Sequence, residues 1–356
     1  KNRYNFGFRR IYMKNWKRSI ALCLSAVMMV GLLASCGSKN APAASSSGST
    51  ASGSTSTNTE DVGDPVKLVF SIAAVPTDAH GAAQKVFKDT LEEISGGNMT
   101  VECYDSGSLY GQDTEHDALK NGDVDLIYSS ASWLTDGSPW VSMFTAGYVF
   151  QSYDHMTKVL NGDIGKEMFQ KIADEQGILP LGAYYLGTRE ISLSQDKAIK
   201  TPDDLKGINL RMPNSDAWVF LGKAMGANPT AIGFNDLYLA LQTGTVDGQD
   251  NPLPTVQSAK FYEVQKSISL TNHLVDSVWP TINLNTWNKL TDEEKQVIED
   301  CADEVAQWFT EEVKKDWEED KQTIVDGGGT FVDFDKQSFI DAMAPLAAQL
   351  ESEGYW

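Results

Sequence analysis

Basic charge is scarce in this chain. Its 356 residues carry 29 Lys and Arg against 49 Asp and Glu, a formal net charge of −20. A protein that neutralises phosphates needs a basic face, so this shortage excludes a nucleic-acid partner. Cysteine and histidine are scarcer still, four of each, scattered along the sequence. That pattern excludes a disulfide-dense scaffold and argues against a structural zinc or other metal site. Catalytic signatures are missing as well: no Gly-x-Ser-x-Gly elbow, no dinucleotide glycine fingerprint and no His-Glu-x-x-His pair. Gly165-Lys166 lacks the glycine five residues earlier that a phosphate loop requires. What is present, 41% hydrophobic and 10% aromatic residues, is globular composition with too many rings for a disordered chain.

The N-terminus has the layout of an export signal. A basic stretch, Lys14 to Arg18, precedes an apolar run from Ile20 to Ala34 and then Cys36. That run of about 15 residues is shorter than the roughly 20 that span a bilayer. A cysteine behind Leu33-Ala34-Ser35 resembles the lipobox of bacterial lipoproteins, which makes Cys36 the acylated first residue of the mature chain and residues 1–36 its signal. Met13 is the expected translation start. Residues 1–36 hold seven basic and no acidic side chains, leaving 22 basic against 49 acidic in the remainder. Residues 37–64, nearly all Ser, Gly, Thr and Ala, cannot bury enough apolar surface to fold and read as a flexible tether. The expected location is extracytoplasmic, lipid-anchored to the outer face of the bacterial cytoplasmic membrane, or periplasmic.

From Pro65 to Trp356 the body is long enough for two lobes, and no span in it is apolar enough to cross a bilayer. Strand-like stretches at 66–72, 99–104, 124–128, 178–185 and 208–211 alternate with helical spacing at 82–94, 216–225, where Ser215 is a candidate cap, and 235–242. This predicts α/β architecture with mostly parallel sheets. Thr291 and Glu294 form a capping-box pattern that opens a helix running to about Ile324 and stopping at Gly327-Gly328-Gly329. A helix that long is expected to span both lobes. Cys103 in a strand and Cys301 in a helix read as two buried thiols, with a disulfide between them as the alternative that an exported compartment permits.

The stretch from Gly207 to Pro213 is the most informative. Period-two alternation sends Ile208 and Leu210 to one face, Asn209 and Arg211 to the other. Arg211 therefore falls at the C-terminal end of a strand, where open α/β sheets place their ligand crevice. A guanidinium there can clamp a carboxylate through two parallel hydrogen bonds, or form an ordinary surface pair in an acid-rich chain. Asp247 and Asp250, in what reads as a tight turn, are the only pair that would serve an extracellular hydrolase.

Several segments carry a resemblance: Asp203 to Pro213, Gly226-Ala-Asn-Pro-Thr230, Phe234 to Pro252 and Lys260 to Lys266. With weaker likeness at His80, Phe87, Gly107 to Gly111 and Gly187-Thr-Arg189, the body is similar to the solute-binding proteins of TRAP transporters, dicarboxylate-binding type. The resemblance implies a two-lobed α/β periplasmic-binding-protein-like fold of the class II type, with lobe 1 from residues 66–186 plus 277–316 and lobe 2 from 187–276 plus 317–356. It implies a binding protein rather than an enzyme, with no cofactor and no catalytic residue. The implied partners are a small organic acid and the small and large integral membrane subunits of a transporter driven by a sodium gradient. Arg211, Arg189 and Asn251 would together hold one carboxylate, Phe234 would pack on the ligand, and Asn214 is a weaker contact. Tyr128, Ser130 and Trp133 fall where the family contacts the distal part of the ligand, and Gln112, Asp113 and His80 are candidates for its hydroxyl groups. Sialate-binding members tend to carry an acid where this chain has Ser130. Polar and aromatic residues together suit a sugar acid such as a uronate or aldonate, or a hydroxy acid, better than a plain short dicarboxylate. A substrate-binding lipoprotein of an ATP-driven importer would share this architecture.

Overall fold

The structure is a computed structural model that describes residues 65–352. The expected signal with Cys36 and the tether at 37–64 lie outside the described residues. Strand β1 (Val66–Ser71) buries Leu68 and Phe70, leaves Val69 between them half-buried and exposes Lys67 before them, the alternation of a pleated strand. Helix α1 (Ala79–Ile94) starts where Asp78 accepts the His80 amide at 2.9 Å. Its Ala83, Phe87 and Leu91, four residues apart, form one buried stripe. Then come β2 (Met99–Tyr104), α2 (Glu115–Asn121), β3 (Leu126–Ser129), α3 (Tyr153–Leu160), α4 (Asp163–Gln176), β4 (Ile178–Pro180) and β5 (Tyr184–Leu193).

The second half of the body runs β6 (Asn209–Met212), α5 (Asp216–Ala224), β7 (Asn228–Ala231), α6 (Phe234–Gln242), β8 (Gly248–Pro252), α7 (Leu253–Ser258) and β9 (Ser267–Asn283). It closes with α8 (Leu284–Lys289), α9 (Asp292–Asp326), β10 (Thr330–Val332) and α10 (Lys336–Ser352). Helix α5 begins where expected, but the Ser215 hydroxyl makes no cap bond and is buried without a partner.

Strand order is β2-β1-β3-β9-β5-β8-β6-β7, with β4 and β10 also paired to β9. The fold is two-lobed α/β, and the expectation of mostly parallel sheets needs correcting. The wings are parallel (β2-β1-β3 and β8-β6-β7), but the centre, where β9 meets β3, β4 and β5 and β5 meets β8, is antiparallel. The 17-residue β9 produces this: its C-terminal half pairs β3 and its N-terminal half pairs β5 and β10, so one strand belongs to both wings.

Helix α9 ties the wings together from outside. Thr291 and Glu294 form the full capping box, and Asp292, Glu293 and Glu294 in its first turn favour the positive end of the helix dipole. Val305 and Phe309 pack into the core of β1, β2 and α1, whereas Ile324 packs with Leu237, Leu253 and Phe261 in the other half. Each such buried side chain contributes roughly 1.5–3 kcal/mol. Cys301 is buried on this helix, Cys103 only half-buried, and both thiols are free. Burial pushes the Cys103 thiol up to about 11 and raises that of Cys301 too. No helix among the described residues is long and apolar enough to cross a membrane.

Candidate functional site

Strand β6 lies between β7 and β8, parallel to both, and its C-terminal end opens on a cavity of about 90 Å3. That is several times the roughly 10–15 Å3 one water needs. Arg211 lines it and is 1% exposed, while Leu210 beside it enters the core. The predicted alternation therefore holds, and the reading of Arg211 as a surface pair does not. Arg211 Nε donates to the Ile232 carbonyl at 2.8 Å and a terminal nitrogen donates to Gln112 Oε1 at 3.3 Å. It makes no ion pair with any described carboxylate. Burial pulls its pKa down to about 9, with Arg189 acting the same way against the opposite pull of Asp250 and Asp113.

Arg189 also lines the cavity, but its guanidinium is occupied. Nε donates to Asp250 at 2.7 Å, one terminal nitrogen to Asp276 at 2.7 Å, and the other to the Asp250 carbonyl at 2.6 Å and Asn251 Oδ1 at 3.1 Å. Trp218 covers it, the guanidinium carbon 4.4 Å from a ring centroid. Behind Asp250 stands fully buried His273, 3.2 Å away through Nε2 and held by Thr271 at 2.8 Å through Nδ1. Burial alone would raise the Asp250 carboxyl; Arg189 and His273 overcome it and hold it below its ordinary range. The same aspartates hold Arg189 charged against its own burial. The two arginines are thus unequal: one is neutralised by the protein, the other is not.

Of the remaining sequence-derived residues, His80, Gln112, Tyr128, Ser130, Trp133, Phe234 and Asn251 all line this cavity. Gln112 Oε1 also accepts the Phe234 amide at 2.9 Å, His80 is paired with Asp78, and the Phe234 ring packs edge-on against Phe261 at 5.9 Å. Asn214, expected as a weaker contact, is exposed and outside the lining, because it follows Pro213 beyond the strand's end and no longer shares the face of Arg211. Asp113 is likewise outside it. Asp247 lies in the turn that was expected, but Asp250 lies in strand β8 (Gly248–Pro252), and the two part company there. Asp247 accepts the Asn209 amide at 2.8 Å while Asp250 serves Arg189, so the pair a hydrolase would need is not formed.

Sequence reasoning missed Glu115, Trp218, Thr255 and Asp276, all lining residues. A lone acid within the β-rich run Leu274 to Trp279 was the available signal for Asp276. A tryptophan two residues into the helix that follows the Arg211 strand was the one for Trp218. Glu115 is 5% exposed, and burial, with Asp113 adding to it, raises its carboxyl well above the usual range despite the Ala73 amide. Next to it, His116 bonds Ser129 at 2.6 Å and packs on Trp133; burial pulls it down to about 3, so it is neutral.

Comparison with known proteins places this architecture. The sialic acid-binding periplasmic protein SiaP of Vibrio cholerae is 33% identical over 269 residues, 75% of this chain and 83% of that protein. The C4-dicarboxylate-binding protein DctB of Bacillus subtilis is 31% identical over 296 residues, 82% of this chain and 84% of the relative. A crystal structure of a TRAP periplasmic solute binding protein from Roseobacter denitrificans with bound 3-deoxy-D-manno-oct-2-ulosonic acid (KDO) superposes with a TM-score of 0.77 at 37% identity, covering 82% of this chain and 96% of that one. These relatives are solute-binding proteins. The DctP profile, bacterial extracellular solute-binding protein family 7, matches residues 70–353, and the chain belongs to that family.

Proposed function

We propose that this protein captures one organic acid between its two lobes and delivers it to the integral membrane subunits of a TRAP transporter. The lobes are residues 66–186 with 277–316 and residues 187–276 with 317–356, and the body works outside the cytoplasm from a lipid anchor at Cys36. The observation that carries this reading is Arg211, a cation 1% exposed, lining a cavity, with no carboxylate of its own. A buried charge without a partner is costly, and an entering carboxylate offsets that cost. Asn251 and the Arg189 edge flank Arg211 in the lining, Phe234 supplies an apolar wall, and Tyr128, Trp133, His80 and Gln112 line the cavity from the other lobe.

The relatives bind, by their names, sialic acid and a C4-dicarboxylate, and the Roseobacter structure holds KDO, so a carboxylate is what the three ligands share. Among them the cavity favours a sugar acid, because its lining offers hydroxyl-matching groups and one unneutralised guanidinium. A thermal-shift panel on the body from Asp64 onward tests this, with galactonate, galacturonate, KDO, sialate, succinate and neutral galactose. A ligand at a hundred times its Kd adds about 2.7 kcal/mol to stability, which raises the Tm visibly. A shift by carboxylates alone supports the reading; an equal shift by galactose overturns it.

A further inference from the structure

Four cavity-lining side chains keep a buried polar atom without a protein partner: Glu115 Oε2, Tyr128 Oη, Trp218 Nε1 and Thr255 Oγ1. A buried polar group left unpaired costs about 1–3 kcal/mol, so their gathering in one cavity points to something that pairs them there. Tyr128, Trp218 and Thr255 can each donate. Glu115 is the exceptional member: an acid in a cavity meant for an anion, 5% exposed, with no ion pair. Of the polar groups first expected to meet hydroxyls, Gln112 has its Oε1 engaged with Arg211 and the Phe234 amide, and His80 has its Nδ1 engaged with Asp78.

We propose that Glu115 is the specificity-determining residue of the ligand's far end, pairing with a hydroxyl group of a polyhydroxylated monocarboxylate and turning away acids that bring a second carboxylate. The proposal rests on the acid-binding reading above and refines it. Arg211 is the one lining guanidinium without a carboxylate partner among the described residues, so it accommodates one carboxylate. A second would have to be desolvated beside Glu115 with no cation to receive it. Burial keeps the Glu115 carboxyl protonated to higher pH than usual, and a neutral carboxyl can donate to a hydroxyl oxygen. Glu115 is also held in place: it opens α2, and its neighbour His116 is pinned between Ser129 and Trp133 on the same wall.

The test is calorimetric titration of the body with galactonate, galacturonate and KDO, with galactarate, which repeats the galactonate skeleton but adds a carboxylate, and with hexanoate, which has no hydroxyls. The wild type is expected to bind the best hydroxylated monoacid at least about tenfold more tightly than galactarate. Glu115→Met should weaken that monoacid about ten- to hundredfold and leave hexanoate unchanged, whereas Glu115→Gln, which still donates, should stay within about threefold of wild type. Galactarate bound by the wild type as tightly as the monoacid overturns the proposal without any variant. So does a folded Glu115→Met that binds the monoacid as the wild type does, and then acid binding itself still stands. If none of the acids binds the wild type, the acid-binding reading has failed and this proposal with it.

Discussion

Arg189 and Arg211 share a cavity wall and a residue type, yet their environments give them opposite roles. Arg189 lies between two aspartates and pairs with both; removing it strands both carboxylates in the interior. Arg189→Met is therefore expected to destabilise the ligand-free protein by about 3–5 kcal/mol, the usual cost of breaking a buried pair from one side. Arg211→Met removes a charge that no described carboxylate pairs with directly and leaves Gln112 still bonded to the Phe234 amide. Its ligand-free stability should stay within about 1 kcal/mol of wild type while acid binding is lost. Urea denaturation with and without the best acid of the panel separates the two. Equal destabilisation by both substitutions would remove the distinction between a structural and a ligand-facing arginine.

At the scale of elements, the antiparallel seam between β5 and β9 carries a titratable group of its own. The register shifts between Arg189 and Ile191, opposite Asn272, which is left-handed at φ +45° and whose amide donates to Glu190 at 2.9 Å. Glu190 is 2% exposed, and burial raises its carboxyl well above the ordinary range, with the Asn272 amide pulling weakly the other way. A raised folded-state value means the native protein binds more protons than the unfolded one. Glu190 thus stabilises most below its unfolded value of about 4.3, and stability falls as pH rises from there towards the raised value, by at most about 1.4 kcal/mol per pH unit. Glu190→Gln keeps an acceptor for Asn272 and cannot ionise. Between pH 5 and 8, urea midpoints should show this variant losing less stability with rising pH than wild type, on a background to which Glu115 contributes in the same direction and His116, whose lowered value favours the native state as pH rises, in the opposite one. An unchanged slope would mean that Glu190 is ionised throughout.

On the scale of the whole molecule, the lobes meet where glycines lie close against side-chain ends of the opposite segment. A Cβ on Gly233 would sit 2.7 Å from Asp113 Oδ2, and one on Gly107 2.7 Å from Asn235 Nδ2, in each case between segments on opposite sides of the cavity. The bonds from Arg211 and Phe234 to Gln112, and from Ser258 to Asp78 at 2.9 Å, cross the same junction. Gly233 has an ordinary φ of −59°, so alanine there adds bulk without backbone strain. Gly233→Ala should leave ligand-free stability unchanged and weaken acid binding severalfold, chiefly through faster release, because closure and binding are one equilibrium. Stopped-flow release rates check it, and an unchanged rate would show that the junction yields without cost.

The elements legible in the sequence were those whose own residues dictate them. Alternation marked β1 and β6, the capping box and glycine stop marked α9, and a short polar-flanked strand ending at Pro213 put Arg211 on the cavity side. Strand β9 was not legible, because its buried positions include Ser267, Ser269, Thr271, His273, Asp276 and Ser277, so no apolar periodicity announces it. By itself the sequence determined the family, the α/β class and the candidate residues, since these depend on local pattern and residue type. Only the tertiary structure decided that Arg189 is neutralised and Arg211 is not, that Asn214 faces solvent, and that Glu115 reaches the cavity. Charge pairing and burial depend on partners 60 to 100 residues away in sequence, as Asp250 and Asp276 are from Arg189 and Gln112 from Arg211, and no local pattern records them.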